Sequence, residues 1–284
     1  MSAPAGPEGL LLVDKPRDVT SHDVVDVVRR ALRTRKVGHA GTLDPLATGL
    51  LLVGVGRATR LLRFLGSLPK TYVGRARLGV ETTTLDADGD VTSERTVRAT
   101  RAAALEAMAA LLGESWQTPP AFSAVKVGGR KLYEAARRGD PVEAPPRRIR
   151  VDRFDLLGLE GADLDFAVEC SAGTYVRVLL ADVGAALGCG AHLTRLRRTE
   201  IGPFRVEDAR PPDRVGDPLP LERAVAHLPS LTLDDLEATA ASHGRVLAPA
   251  GIAGPYAALD RAGTLIGIYL DEGARSVPQV ILAR

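Results

Sequence analysis

One carboxylate in this chain stands in a turn that opens onto an apolar run: Gly41-Thr42-Leu43-Asp44-Pro45-Leu46-Ala47-Thr48-Gly49-Leu50-Leu51, followed by Leu52-Val53-Gly54-Val55-Gly56. Asp before Pro starts many ordinary turns. An acid at the edge of a buried strand can also do chemistry, because a carboxylate can attack a substrate and later leave, as a covalent intermediate requires. In a pocket that excludes water its pKa would rise, and a fixed cation nearby would offset that rise. A guanidinium suits that task, since it stays charged and can grip a carboxylate with two N–H groups. Tyr72 and Tyr175 are two of only five tyrosines in a chain that is 4% aromatic, and each offers a stacking surface and a hydroxyl.

Other chemistries lack their residues. The five histidines form no HxxxH or Cys/His grouping, so no metal is expected. Gly54-Val55-Gly56 is half a dinucleotide fingerprint whose third glycine would fall at Thr59, and there is no GxxxxGK[ST], so no nucleotide cofactor is expected. Cys170 and Cys189 lack CxxC spacing and read as buried thiols.

The elements that must position these residues follow from periodicity. Strands are expected near 9–14, 49–56, 71–79, 149–159, 163–171 and 193–201. A helix follows Thr20, capped with Asp23 three residues on, with Val24, Val27, Val28, Ala31 and Leu32 on one face. Further helices are expected over 101–112, capped by Thr100, and over 175–187. Strands and helices interleave without a βαβ rhythm, so the class is α+β with a mixed sheet.

At 284 residues and 45% hydrophobic, the chain suits one large domain or two unequal ones. The early apolar run Leu10–Val13 is too short for a signal peptide or a membrane span, so a cytoplasmic protein is expected. Net charge is only +2, but it is segregated. Residues 29–36 carry five basic groups and no acid, and 123–150 carry eight against three acids, whereas 203–240 hold eight acids against four basic residues. Such segregation gives a cationic face able to follow phosphates. Residues 117–150, basic and punctuated by Pro119-Pro120, Gly128-Gly129 and Pro145-Pro146, read as a protruding arm with a helical piece near 132–138. A Pro-rich acidic stretch places a domain boundary near 230, giving parts 1–230 and 231–284, the second small and β-rich with Val280-Ile281-Leu282 as its final strand.

The segment from Lys36-Val37-Gly38-His39-Ala40 through Leu51 closely resembles the active-site segment of the TruB family of pseudouridine synthases. So, in the family's order, do Gly9–Pro16, Lys70-Thr71-Tyr72, Ser171–Arg177 and Gly188–Arg198, which extend the resemblance over roughly residues 9 to 204. It implies the pseudouridine synthase fold, a mainly antiparallel mixed sheet flanked by helices, with a small PUA-like domain at the C-terminus. The implied activity is isomerisation of uridine 55 in the T-loop of tRNA to pseudouridine, with no cofactor. Asp44 would be the nucleophile, Arg177 its cationic partner, and Tyr72 and Tyr175 the walls of the uridine pocket. Leu196 would touch the base edge through its backbone, His39 would help fill the space left by the flipped nucleotide, and Lys15 would support the pocket. The arm at 117–150 resembles the family's RNA-gripping thumb.

Two departures stand out. Asp18 occupies a usual glycine position, where Asp tolerates positive φ better than most residues, and Phe122 replaces a common Tyr. The expected protein is a monomeric, stand-alone enzyme acting on the tRNA T-arm without membrane or obligate protein partner. The competing expectations are an RNA chaperone without chemistry and the catalytic subunit of a guide-RNA particle.

Overall fold

The computed structural model describes residues 6–123, 125–133, 138 and 142–283. The six expected strands form with small changes of boundary, as β1, β3, β4, β10, β11 and β12 of a larger set: β1 (Gly9–Lys15), β2 (Val37–Ala40), β3 (Thr48–Val55), β4 (Lys70–Leu78), β5 (Val80–Thr82), β6 (Val91–Glu94), β7 (Gly113–Gln117), β8 (Lys126–Val127), β9 (Arg130–Lys131), β10 (Arg147–Glu160), β11 (Asp163–Cys170), β12 (Ala191–Ile201) and β13 (Phe204–Arg205). Among the described residues, nine of these make one sheet along β1-β3-β12-β4-β11-β10-β7, with β2 on β3 and β13 on β12. Every pairing in it is antiparallel except β3 with β12, so the sheet is mixed and mainly antiparallel. The class is α+β, as expected.

Helix α1 (Ser21–Ala31) starts at the expected capping box, in which Thr20 and Asp23 satisfy each other's backbone N–H groups. Its Val24, Val25 and Val28 pack on Leu11, Val13, Leu51 and Val53. The opposite side chains of the same strands, Leu10, Leu50 and Leu52, pack with Ala257, Leu265, Ile268 and Leu282 from the C-terminal part. Burial on both faces explains why β1 and β3 are continuous apolar runs with no alternation. Helix α2 (Leu62–Gly66) follows a short 3₁₀ turn from Gly56 to Leu61. Arg57, Arg60 and Arg63 of this segment donate to the carbonyls of Leu282, Ile281 and Gln279, fastening the C-terminal strand.

Helix α3 (Arg101–Ala109) stops three residues short of the expected end, and the chain goes on into β7, an edge strand that sequence patterning misses. Helix α4 (Val176–Ala186) packs on β12, and its Leu179, Leu180 and Val183 join Ala76, Leu78 and Leu193 in the largest core. The arm leaves the sheet after Gln117 and returns at Arg147, and these two residues are register partners. Within it, β8 and β9 form a hairpin across Gly128 and Gly129, both at positive φ, as a tight two-residue turn requires. The expected helical piece near 132–138 falls largely outside the described residues.

Helices α5 (Leu221–Ala224) and α6 (Asp235–Ser242) lead into or flank a separate sheet in the order β14 (Ser230–Thr232), β15 (Pro255–Leu259), β16 (Leu265–Glu272) and β17 (Arg275–Ile281). Among the described residues no helix is long and apolar enough to cross a membrane.

Candidate active site

The Asp44 turn is held from three directions. Ser21, at the start of α1, accepts from the Leu43 N–H at 2.9 Å and donates to the Leu43 carbonyl at 3.2 Å. The Asp18 N–H donates to the Pro45 carbonyl at 2.9 Å, from a backbone at φ +64°, the conformation expected where glycine is usual. Lys15, wholly buried, donates to the carbonyls of Val19 (2.7 Å), Pro16 (2.9 Å) and Pro45 (3.3 Å). Its pKa falls to about 8, chiefly through burial, with Asp44 the strongest opposing charge. Gly49 sets the distance from this turn to the centre of the sheet: at φ +102° a β-carbon there would lie 2.3 Å from the Arg198 carbonyl, so only glycine lets β3 approach β12.

Arg177, in the first turn of α4 and 4% exposed, brings its Nε to 2.9 Å from Asp44 Oδ2. Its outer nitrogens are committed elsewhere. Nη1 donates to the Thr84 carbonyl at 2.6 Å and lies 3.3 Å from Asp86 Oδ2, while Nη2 donates to the Phe122 carbonyl at 2.9 Å. The two-pronged grip on Asp44 anticipated from guanidinium geometry is therefore replaced by one Nε contact, because two loops supply carbonyls to the rest of the group. Burial pushes the Asp44 carboxyl above its ordinary pKa; Arg177 opposes this most strongly, and the negative charge of Asp86 adds to it.

Asp44, Tyr72, Tyr175, Arg177 and Leu196 line one cavity of about 310 Å³. Tyr72 is 7% exposed, and burial raises its hydroxyl pKa while neighbouring Arg198 opposes the rise. The backbone of Tyr175 is clasped by Gln117, whose Oε1 accepts from its N–H at 2.7 Å and whose Nε2 donates to its carbonyl at 3.2 Å. The Arg147 guanidinium stacks 5.2 Å from the Tyr175 ring centre. Leu196 lies on β12, and its carbonyl accepts from Thr48 at 3.4 Å. Two expected residues are not part of the lining. Lys15 stands behind the Asp44 turn, and His39 is a residue of β2 opposite Val53; its Nδ1 is buried with no hydrogen-bond partner among the described residues.

Sequence reasoning missed several members of this site. Asp86 is buried in a Thr/Asp/Gly-rich stretch that reads as an ordinary turn. Lys70, also in the lining, donates to the carbonyls of Leu68 (2.6 Å) and Gly66 (2.7 Å), and burial lowers its pKa to about 8. Arg198 donates to Leu50 at 2.7 Å and Gly41 at 3.1 Å, while neighbouring Arg197 points to the other face and grips Asp14 through both outer nitrogens. The strand alternation of Arg197 and Arg198 was the available signal, since successive side chains point to opposite faces.

The model of the TruB family pseudouridylate synthase N-terminal domain matches residues 29–176. The chain belongs to this family. Two further family models, a tRNA pseudouridylate synthase B C-terminal domain and a tRNA pseudouridine synthase II C-terminal domain, match 177–214 and 228–283, so the kinship extends past residue 204, where the motif resemblance ends. A tRNA pseudouridine synthase B from Mycobacterium sp. (strain KMS) is 46% identical, over 97% of this chain and 96% of that protein. One from Corynebacterium aurimucosum is also 46% identical, over 100% and 99%. Among solved structures, a chain of a Cbf5-Nop10-Gar1 complex superposes with a TM-score of 0.73 at 29% identity, covering 97% of this chain and 85% of that one. A chain of an H/ACA ribonucleoprotein bound to a substrate RNA containing 2′-deoxyuridine gives 0.72 at 28%, covering 97% and 86%. This TruB family member is thus a pseudouridine synthase, an isomerase.

Proposed function

We propose that the chain converts one uridine in the T-loop of tRNA to pseudouridine, acting alone in the cytoplasm as a monomer, with Asp44 as nucleophile. The observation that carries this reading is the Arg177–Asp44 pair, 2.9 Å apart at a cavity walled by Tyr72, Tyr175 and Leu196. The full-length relatives named tRNA pseudouridine synthase B support tRNA as the substrate. Residues 1–230 would form the catalytic domain, with 231–284 a PUA-like module fastened to it through Arg57, Arg60 and Arg63.

Isomerisation breaks the C1′–N1 bond, turns the uracil and rejoins it through C5. A uridine inside a folded loop must first be flipped out, at a cost of a few kcal/mol. The basic arm supports a grip on the stem, and His39, next to the Asp44 segment, would occupy the vacated stack. In the pocket the ring would lie against Tyr72 and Tyr175, with Leu196 at its edge. Asp44, kept ionised in part by Arg177, would make and then release the bond that frees the base. The chemistry requires no redox step and no phosphate.

Purified protein incubated with an unmodified tRNA transcript and no other component should yield pseudouridine at one T-loop position. A well-folded protein giving no product would overturn the reading. A second reading, a catalytic subunit of a guide-RNA particle, is favoured by the likeness to a chain of an H/ACA ribonucleoprotein and to one of a Cbf5-Nop10-Gar1 complex; product formed only after adding partner proteins and a guide RNA would select it.

A further inference from the structure

Ser123 sits at the base of the arm, and its position is fixed on both sides. The preceding carbonyl, of Phe122, accepts from Arg177 at 2.9 Å, and the carbonyl of Ser123 itself accepts from the Tyr133 N–H at 3.1 Å. The residue is 5% exposed and lines the same cavity as Asp44, yet its Oγ has no hydrogen-bond partner among the described residues. The cationic groups of the lining are all engaged: Arg177 with four oxygens, Lys70 with the carbonyls of Gly66 and Leu68, and Arg198 with those of Leu50 and Gly41. A buried hydroxyl without a partner costs stability, and one held in place against a substrate cavity is an interaction kept in reserve.

We propose that the Ser123 hydroxyl donates a hydrogen bond to a carbonyl oxygen of the uracil ring and is a positioning residue for the isomerisation. The proposal rests on the uridine reading above. Its chemical logic lies in the turn the base must make. Rotation by half a turn about the axis through N3 and C6 brings C5 to the place of N1 and exchanges O2 with O4. A donor fixed beside one carbonyl before the turn therefore meets the other carbonyl after it. A rotatable hydroxyl is suited to this, since its hydrogen can follow the acceptor. A contact that holds the ring before and after the turn would keep the detached base from tumbling or escaping.

The test compares wild type, Ser123→Ala and Ser123→Thr on the same transcript under single-turnover conditions, with RNA affinity and melting temperature measured in parallel. Loss of one neutral hydrogen bond should slow S123A about tenfold, with RNA affinity within about threefold. The melting temperature of free S123A should be unchanged or higher, because among the described residues the hydroxyl has no hydrogen-bond partner to lose. S123T, which keeps a hydroxyl, should recover most of the rate. Transcripts with 2-thiouridine or 4-thiouridine at the target replace one carbonyl oxygen by a poor acceptor, and the rate penalty of at least one of them should vanish in S123A. S123A turning over at the wild-type rate, a lowered melting temperature, S123T no faster than S123A, or two sulfur penalties unchanged in S123A would each overturn the proposal. Wild type without product would instead sink the uridine reading itself.

Discussion

Replacing Arg177 by Lys keeps the charge and removes the planar fork, and the partners of this side chain set the size of the effect. Arg177 faces four oxygens: Asp44 Oδ2 at 2.9 Å, Asp86 Oδ2 at 3.3 Å, and the carbonyls of Thr84 at 2.6 Å and Phe122 at 2.9 Å. An ammonium has three N–H donors, so at least one of the four acceptors is left without a donor. A buried acceptor left unpaired costs about 1–3 kcal/mol. Asp86 is 7% exposed and the Asp44 side chain 40% exposed, so of the two carboxylates Asp44 is the one that solvent can re-partner, and it is the one expected to let go. The damage then falls on the orientation of Asp44, and if Asp44 is the nucleophile a slowing of about 5- to 150-fold is expected in the chemical step. Arg177 is itself 4% exposed, so RNA affinity should stay within about threefold. Single-turnover release of the C5 hydrogen, with enzyme saturating over tRNA, measures the step directly. An Arg177→Lys protein within threefold of the wild-type rate would refute the claim that Arg177 orients Asp44, and another cation would have to carry that role.

Asp44→Asn should abolish turnover and leave tRNA affinity within a few-fold, measured by filter binding beside an activity assay; isomerisation near the wild-type rate would remove Asp44 from the mechanism. If Asp44 is the nucleophile, the rate depends on its ionised form; its pKa is raised by burial and further by Asp86, so the acid limb of the pH–rate profile should lie above the ordinary carboxylate value. Asp86→Asn removes a negative charge that favours the protonated form, so it should move this limb to lower pH, and a limb that stays put or moves up contradicts the coupling. Exchanging Lys126, Arg130, Lys131, Arg137 and Arg138 for Gln neutralises the arm. If these groups meet phosphates, the slope of log affinity against log salt should shrink by about 0.7–0.9 for each phosphate no longer neutralised; an unchanged slope would mean that the arm does not grip RNA.

What the sequence discloses about this protein is what is local or contiguous. Helix α1 could be read from Thr20, Asp23 and a valine stripe because a capping box and one helical face need no distant partner. Strands β1 and β3 could be read because burial on both faces leaves unbroken apolar runs. Strand β7 could not: Gly113-Glu114-Ser115-Trp116-Gln117 has four exposed residues in five and becomes a strand only by pairing with Arg147–Val151. The site divides in the same way. Asp44, Tyr72, Tyr175, Arg177 and Leu196 stand in dense motifs and do meet in one cavity. Asp86 looks like a turn acid until Ala87 bonds the Leu193 carbonyl at 2.9 Å and draws that loop onto β12, within reach of Arg177. The same long-range docking explains why the anticipated fork on Asp44 is absent. Thr84 and Phe122 lie on loops that close over α4 only in the folded chain, and their carbonyls take the outer nitrogens of Arg177. A guanidinium shared among the Asp44 turn, the Asp86 loop and the base of the arm links three segments distant in sequence. Displacing any one of them should then register at Asp44 even when the residue changed never touches the substrate.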